Sequence, residues 1–336
     1  MKKWITASIC LLMVLMLASC GGKKEEASTN GNEKNLSEVS VMLDWYPNAV
    51  HSFLYVAEEK GYFKEEGIKV NIQYPANPTD PLNLAAAGKV TVGLYYQPDV
   101  IMARANENVP VKAIGAIVRS PLNHTVVLED SSIDSPKDLE GKTVGYPGIP
   151  LNEAILSTIV KHDGGDPEKV KLVDVGFELV SSLATKKTDA IIGAYVNHEV
   201  PILKDKGNDV RYFDPTKYGV PSYYELVAVT GDQTWGKDQD KIKAFWRAAS
   251  KGYEFMKQNP DEALDILLKH QDEANYPLDE KIEKESINIL LPKMGTEKEF
   301  GSQTKESWQE TAQWLKESGL IKETPKVDDM FVDLQE

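Results

Sequence analysis

The chain has 336 residues, with 38 lysines and arginines against 52 aspartates and glutamates, a formal net charge of −14 and two cysteines. So acidic a surface disfavours the phosphate backbone of nucleic acid as a partner and reads as a solvated, soluble face. Both cysteines, Cys10 and Cys20, lie near the start, so the rest of the chain offers no disulfide, no cysteine nucleophile and no cysteine-ligated zinc or iron–sulfur site.

In chain order, Lys2 and Lys3 precede an apolar run over residues 5–17. Its length falls within the roughly 7–15 residues of a signal-peptide core and short of the about 20 needed to span a bilayer. The run ends in Leu17, Ala18, Ser19 and Cys20, which resembles a bacterial lipobox. Residues 1–19 are therefore expected to be a lipoprotein signal peptide, with Cys20 the lipidated first residue of the mature protein. Residues 21–35 carry no large apolar side chain. Such a composition cannot bury enough surface to order itself, and 20–36 is expected to be a flexible tether.

Beyond it, short apolar runs alternate with helix-like segments, an α/β pattern. Strands are predicted at 38–43, 69–74, 90–95, 111–118, 124–128, 142–146, 170–174, 189–193 and 223–229. Helices are predicted at 52–60, 80–87, 98–106, 151–162, 178–186 and 198–206. From residue 237 the chain reads as consecutive amphipathic helices, 237–257, 260–270, 279–290 and 302–316, and from 324 as polar and irregular. The stretches 119–128 and 223–230 read as crossings between two lobes. The first lobe is then 37–124 with 228–336, and the second, 125–227, is inserted into it. No internal repeat of fixed period argues for a solenoid or propeller.

The first strand stops at a cluster that carries most kinds of small-molecule contact. Asp44 and Asn48 offer hydrogen bonds, Trp45 and Tyr46 flat faces and His51 a tunable nitrogen, while Pro47 restricts the backbone between them. Polar and aromatic residues at the carboxyl end of a strand, just before a helix, sit where open α/β sheets bind ligands. A two-lobed binder places its pocket between the lobes, so other strand ends supply the remainder. Tyr95 and Tyr96 are adjacent on an extended segment and face opposite ways, so one of them faces the cleft. Ser120, Asn123 and His124 lie at the first crossing and either touch ligand or satisfy hinge backbone groups, the hinge reading being favoured. In the second lobe, Gly145 and Gly148 flank Tyr146 and let backbone approach a ligand, and a helix start near Asn152 presents free N–H groups. Tyr146 is either a stacking face or a core ring. Tyr195, Asn197, His198 and Glu199 follow an apolar strand; Glu199 is either a ligand contact or a helix-start acid stabilised by the dipole. Tyr223 and Glu225, on the way back, either close the cleft or hold structure. Arg119 is the one arginine among the cleft candidates. So few cations argue against sulfonate, nitrate or phosphate and for a flat, neutral or weakly cationic heteroaromatic.

Two stretches carry a family resemblance. The loop from Asp44 to His51 is followed by Gly61, Tyr62 and Phe63 and then by Glu65, Glu66, Gly67 and Ile68. That order resembles the THI5/NMT1-like substrate-binding proteins, relatives of the thiamine-pyrimidine synthases. Ile133, Ser135, Pro136, Asp138, Leu139, Gly141, Lys142, Val144 and Gly145 fit the I-x-S-P-x-D-L-x-G-K-x-V-G pattern that begins the second lobe of type II periplasmic binding proteins. Physically, Ser135 and Pro136 start a short helix and Gly141 ends it. Together the resemblances span roughly residues 38–320.

They imply an α/β, type II periplasmic-binding-protein fold: two α/β lobes joined by a two-crossing hinge, with a ligand cleft between them. They imply a lipid-anchored, extracytoplasmic solute-binding component of an ABC importer. It would act as a monomer without cofactor or metal, work with a permease and its ATPase, and be held to the membrane through Cys20. The implied ligand is a thiamine-precursor aminopyrimidine, N-formyl-4-amino-5-aminomethyl-2-methylpyrimidine, taken up for thiamine salvage. In the family an aromatic-x-Asn-aromatic-Glu segment lines the cleft and its glutamate reads the aminopyrimidine. Tyr195, Asn197 and Glu199 match that segment, while His198 stands where the second aromatic would be. The expected roles are stacking by Trp45 and Tyr195, with Glu199 and Asn48 on the polar edge. A binder of an aromatic sulfonate, a taurine-like compound or a riboflavin-like heterocycle is the alternative. A synthase fits poorly: those enzymes work inside cells with lysine-bound pyridoxal phosphate and a cysteine-rich iron motif, and this chain has an export leader and no cysteine beyond Cys20.

Overall fold

The computed structural model describes residues 36–295 and 300–334. The leader over 1–19, the tether as far as residue 35 and the lipidation cysteine Cys20 lie outside the described residues. The chain begins with β1 (Ser37–Met42), α1 (Ser52–Glu59), α2 (Tyr62–Glu65), β2 (Ile68–Gln73), α3 (Asp80–Ala86), β3 (Val92–Tyr95), α4 (Gln97–Glu107) and β4 (Val111–Val118). A second run follows: β5 (Asn123–Leu128), β6 (Thr143–Tyr146), α5 (Pro150–His162), β7 (Lys171–Asp174), α6 (Leu179–Ala184), β8 (Ala190–Tyr195), α7 (Glu199–Asp205) and β9 (Val210–Phe213). After β10 (Leu226–Gly231) come only helices: α8 (Asp232–Gln258), α9 (Pro260–Lys269), α10 (Glu280–Met294), α11 (Lys305–Glu317) and α12 (Val327–Met330).

The strands form two five-stranded sheets of one topology, β2-β1-β3-β10-β4 and β7-β6-β8-β5-β9. In the first, β1 pairs in parallel with β2 and β3, and β10 runs antiparallel between β3 and β4. In the second, β6 pairs in parallel with β7 and β8, and β5 runs antiparallel between β8 and β9. The antiparallel strand of each sheet is therefore the one the chain enters on changing sheets, at 119–122 and at 214–225. Helices cover the sheet faces, which is why the central strands are apolar runs and not alternating ones; all six residues of β10 are buried. The contact of α8 with α1 depends on one small residue. A Cβ added at Gly252 would sit 2.1 Å from the carbonyl oxygen of Phe53.

Most predicted elements appear within one to three residues of their expected bounds, and the differences have local causes. The edge strand β9 was not predicted, because four residues with Arg211 and a 46% exposed Tyr212 give no buried period. Helix α8 starts at Asp232, ahead of the expected 237, and holds a non-helical residue at Asp238 (φ −121°, ψ 25°). Its apolar period begins only after that kink, with Ile242. Helix α10 runs past the expected 290 to Met294 and contains Pro292 in its last turn, where the lost N–H forfeits a single bond. The four-residue helices α2 and α12 are too short to show a period, and α12 corrects the expectation of irregular chain from 324.

Candidate functional site

Strand β1 ends against a loop that is built from its own side chains. Asn48 caps the 3-10 turn Ala49–His51: its Oδ1 accepts from Val50 N at 3.1 Å, and its Nδ2 donates to Tyr46 O at 3.0 Å. The Asn48 N–H donates to His51 Nδ1 at 3.2 Å, which leaves the ring proton on Nε2, 2.9 Å from Asp44 Oδ1. From α10, Glu283 accepts the Ala49 N–H at 2.7 Å. Asp44 also takes a long 3.4 Å bond from the hydroxyl of Tyr96 on its Oδ2.

The second sheet faces this loop with three chain segments. At the start of β5, Asn123 donates through Nδ2 to Asn152 Oδ1 at 2.7 Å and accepts the Gly193 N–H at 2.9 Å. Gly193 has φ +98°, and a Cβ there would lie 2.9 Å from Pro147 Cδ, so this strand interior needs glycine. Past β8, Glu199 opens α7. Its Oε2 accepts the Tyr195 N–H at 2.8 Å, and its Oε1 lies 2.7 Å from His198 Nδ1. Burial opposes a charge on His198, but Glu199 beside it outweighs burial and lifts the imidazole to about 9.

Glu225 joins the two halves. Its Oε2 accepts from Leu122 N at 2.6 Å, Asn123 N at 2.9 Å and the Tyr223 hydroxyl at 3.2 Å, and its Oε1 accepts from the Tyr195 hydroxyl at 3.1 Å. Burial nonetheless pushes its carboxyl up to about 7 against those four bonds.

Between these segments lies a cavity lined from both sheets. The first sheet and its loops supply Asp44, Trp45, Asn48, Val50, Tyr96 and Glu225; the second supplies Asn123, Pro147, Ile149, Leu151, Asn152, Gly193, Tyr195, His198 and Glu199. No lysine or arginine lines it. Three carboxylates, one imidazole, three amides and three aromatic rings surround a mostly apolar remainder. Such a set suits a flat ligand whose edge presents hydrogen-bond donors. Among the described residues, no cluster of histidine, cysteine, aspartate or glutamate is arranged to hold a metal ion.

Of the residues singled out in the sequence, Asp44, Trp45, Asn48, Tyr96, Asn152, Tyr195, His198, Glu199 and Glu225 line the cavity. Several others do not, each for a local reason. His51 is fully buried behind the loop, on Asp44. Tyr95 is buried in the core with its ring 4.6 Å from that of Tyr96, so the two do not face opposite ways as expected, and only Tyr96 reaches the cavity. Tyr146 sits outside, its hydroxyl pushed up to about 12 by burial and by Glu153. Asn197 turns to Ser286 of α10 at 2.9 Å. Tyr223 is buried in the core, and its hydroxyl donates to Glu225 Oε2. Arg119 is also outside: it donates to the Ser302 carbonyl and lies over the Tyr224 ring, 5.0 Å from its centroid. The sequence reading favours the hinge for Asn123, yet its amide lines the cavity, and Val50, Leu151 and Gly193 are not expected there. Gly193 carried a signal, a glycine inside an apolar strand, whereas Val50 and Leu151 look like any core residue.

Residues 48–263 match the model of the family described as NMT1/THI5 like. Over 322 residues, 96% of this chain and 96% of the relative, the sequence is 51% identical to the formylaminopyrimidine-binding protein of Halalkalibacterium halodurans. It is 28% identical to the 4-amino-5-hydroxymethyl-2-methylpyrimidine phosphate synthase of Legionella pneumophila, over 73% of this chain and 78% of that enzyme. Among solved structures, the periplasmic aliphatic sulphonate binding protein SsuA from Escherichia coli superposes with a TM-score of 0.66 at 12% identity, covering 87% of this chain and 96% of that one. The fold is thus that of the periplasmic binding proteins.

Proposed function

The chain belongs to the NMT1/THI5-like family, and from that premise we propose that it is the solute-binding component of an ABC importer, taking up N-formyl-4-amino-5-aminomethyl-2-methylpyrimidine for thiamine salvage. It is a binding protein and not a synthase, since its likeness to a binding protein is both higher and more complete than its likeness to the enzyme. It works outside the cytoplasm as a monomer, anchored by lipid on Cys20, and delivers its ligand to a permease driven by an ATPase. The lobes are 37–124 with 228–336, and 125–227, and they close about the two crossings.

One observation carries the choice of ligand: the cavity holds Asp44, Glu199 and Glu225 but no lysine or arginine. Anionic sulfonates would meet carboxylates there, and His198, the one cation, is already paired with Glu199. An aminopyrimidine instead brings N–H donors to those oxygens, and such charge-assisted bonds are the strong ones. Trp45 and Tyr195 stack on the ring and Glu199 takes the amino edge. Asn48 is spent largely on its own turn, so Asp44, whose Oδ2 has only the 3.4 Å partner, is the second reader of the edge. Titrating the mature protein with the formylaminopyrimidine, thiamine and taurine tests this. Binding of the pyrimidine at micromolar Kd or tighter, with none of taurine, is expected; the reverse order would refute it.

A further inference from the structure

Trp45 is reached from outside the cavity by a ring that does not line it. Phe177, between β7 and α6, meets Trp45 edge-on with ring centroids 4.5 Å apart and planes at 70°. The same ring lies 4.5 Å from Tyr46. Tyr46 is stacked on Tyr276, from the α9–α10 connection, at 4.0 Å. Of these four rings only Phe177 belongs to the second sheet's side. All four are half-buried, unlike core aromatics. Trp45 itself packs against the apolar cluster formed by the second sheet and its helices, although its own loop belongs to the first. Phe177 is held at the tip of a tight turn, where Gly176 donates to Asp174 Oδ1 at 2.9 Å and Glu178 N donates to Val175 O at 2.9 Å. The arrangement joins a rigid turn on one side of the cleft to a loop on the other, through the ring that forms the cavity wall.

We propose that Phe177 is the latch of an aromatic gate: seated between Trp45 and Tyr46, it positions Trp45 against the ligand and must unseat before the ligand leaves, so that it sets the exit rate. This rests on the cavity being the ligand site. Phe177 touches no ligand and acts through Trp45, so it is a positioning residue. Losing an aromatic contact that forms only in the closed state speeds departure far more than arrival, the usual division for changes at a binding interface.

The test is Phe177→Ala, with Phe177→Tyr as the conservative control. Exit of the formylaminopyrimidine is followed by stopped-flow tryptophan fluorescence, and hydrogen exchange over residues 44–50 is measured in the protein without ligand. Expected are an exit rate about tenfold faster in Phe177→Ala, an association rate within twofold, an unchanged melting temperature and near-complete rescue by tyrosine. Exchange over 44–50 is faster in the alanine variant alone. An exit rate within twofold of wild type overturns the gate whatever the exchange shows. If the wild type does not bind the pyrimidine, the ligand assignment fails separately. Exchange then decides the gate: faster in Phe177→Ala upholds it, and unchanged rejects it.

Discussion

Glu199 does two jobs with two oxygens. As the first residue of α7 it is favourably placed for the helix dipole, and as a cavity carboxylate it is paired with a charged His198. Glu199→Gln keeps the shape and removes the charge. Hydrogen bonds to charged groups contribute about 1.5–3 kcal/mol, so calorimetry should show pyrimidine affinity weakened by roughly 10- to 100-fold, with a lower melting temperature as well because buried His198 loses its counter-charge. An unchanged affinity would take Glu199 out of recognition. Glu225 makes a different prediction. Its folded value of about 7 lies above the ordinary 4.5, so between those values the folded chain holds a proton that the unfolded chain has released. Stability therefore falls as pH rises from 4.5 to 7 and levels off above, by at most about 3 kcal/mol from this group. His198 adds to the fall: its contribution is complete below 6.5 and is lost as pH rises through about 9. Glu225→Gln carries a constant penalty for putting an amide donor among donors, but it lacks the first of these slopes. Urea unfolding at pH 5 and pH 8 should find wild type losing stability relative to the variant, and parallel profiles would contradict the assignment.

At the scale of elements, the site depends on α10 as much as on the loops it supports. Glu283 satisfies the Ala49 N–H beneath the capped turn, and Ser286, one turn on, receives Asn197 from the second sheet's side. Glu283→Ala leaves a buried N–H unpaired, a loss of about 1–3 kcal/mol. Thermal unfolding should report it, with a smaller drop for Glu283→Gln, and equal stability of all three proteins would show that the bond contributes nothing. This dependence explains what the sequence could reveal. The strands were legible because burial on both faces makes them apolar runs, and the loop after β1 was legible because Trp45, Tyr46 and Pro47 have no reason to follow such a run unless something binds there. Glu199 stood out as an acid closing an apolar strand. Leu151, Phe177 and Glu283 were not legible, since each looks like an ordinary helix or turn residue until tertiary folding brings it to the loop. Asn123 is ambiguous for a related reason: a crossing residue can satisfy hinge backbone or face the cleft, and only its bonds to the Gly193 N–H and to Asn152 decide.

For the whole molecule, the question is what holds the two sheets' halves in register around the cavity. Glu225 binds both crossings at once. Farther out, Asp99 in the first turn of α4 reaches across to the start of α5, where its Oδ1 accepts the Leu151 N–H at 3.1 Å. Helix α5 has no side-chain cap of its own at Ile149, so Asp99 supplies from the other sheet's side the acceptor that a local cap would. Asp99 Oδ2 has no hydrogen-bond partner among the described residues, and burial lifts the carboxyl to about 8. At pH 7 the group is then mostly neutral, and an amide of the same shape is a close substitute. Asp99→Asn should accordingly keep both stability and pyrimidine affinity near wild type at pH 7. Asp99→Ala should lower stability by about 1–3 kcal/mol, because it strands a buried N–H. It should also weaken pyrimidine binding by several-fold, although Asp99 does not line the cavity, because Leu151 and Asn152 at the start of α5 do. Urea unfolding and calorimetry on the two variants separate the possibilities. A loss of affinity shared equally by both would point to the charge of Asp99, and a loss confined to alanine would point to the bond that spans the cleft.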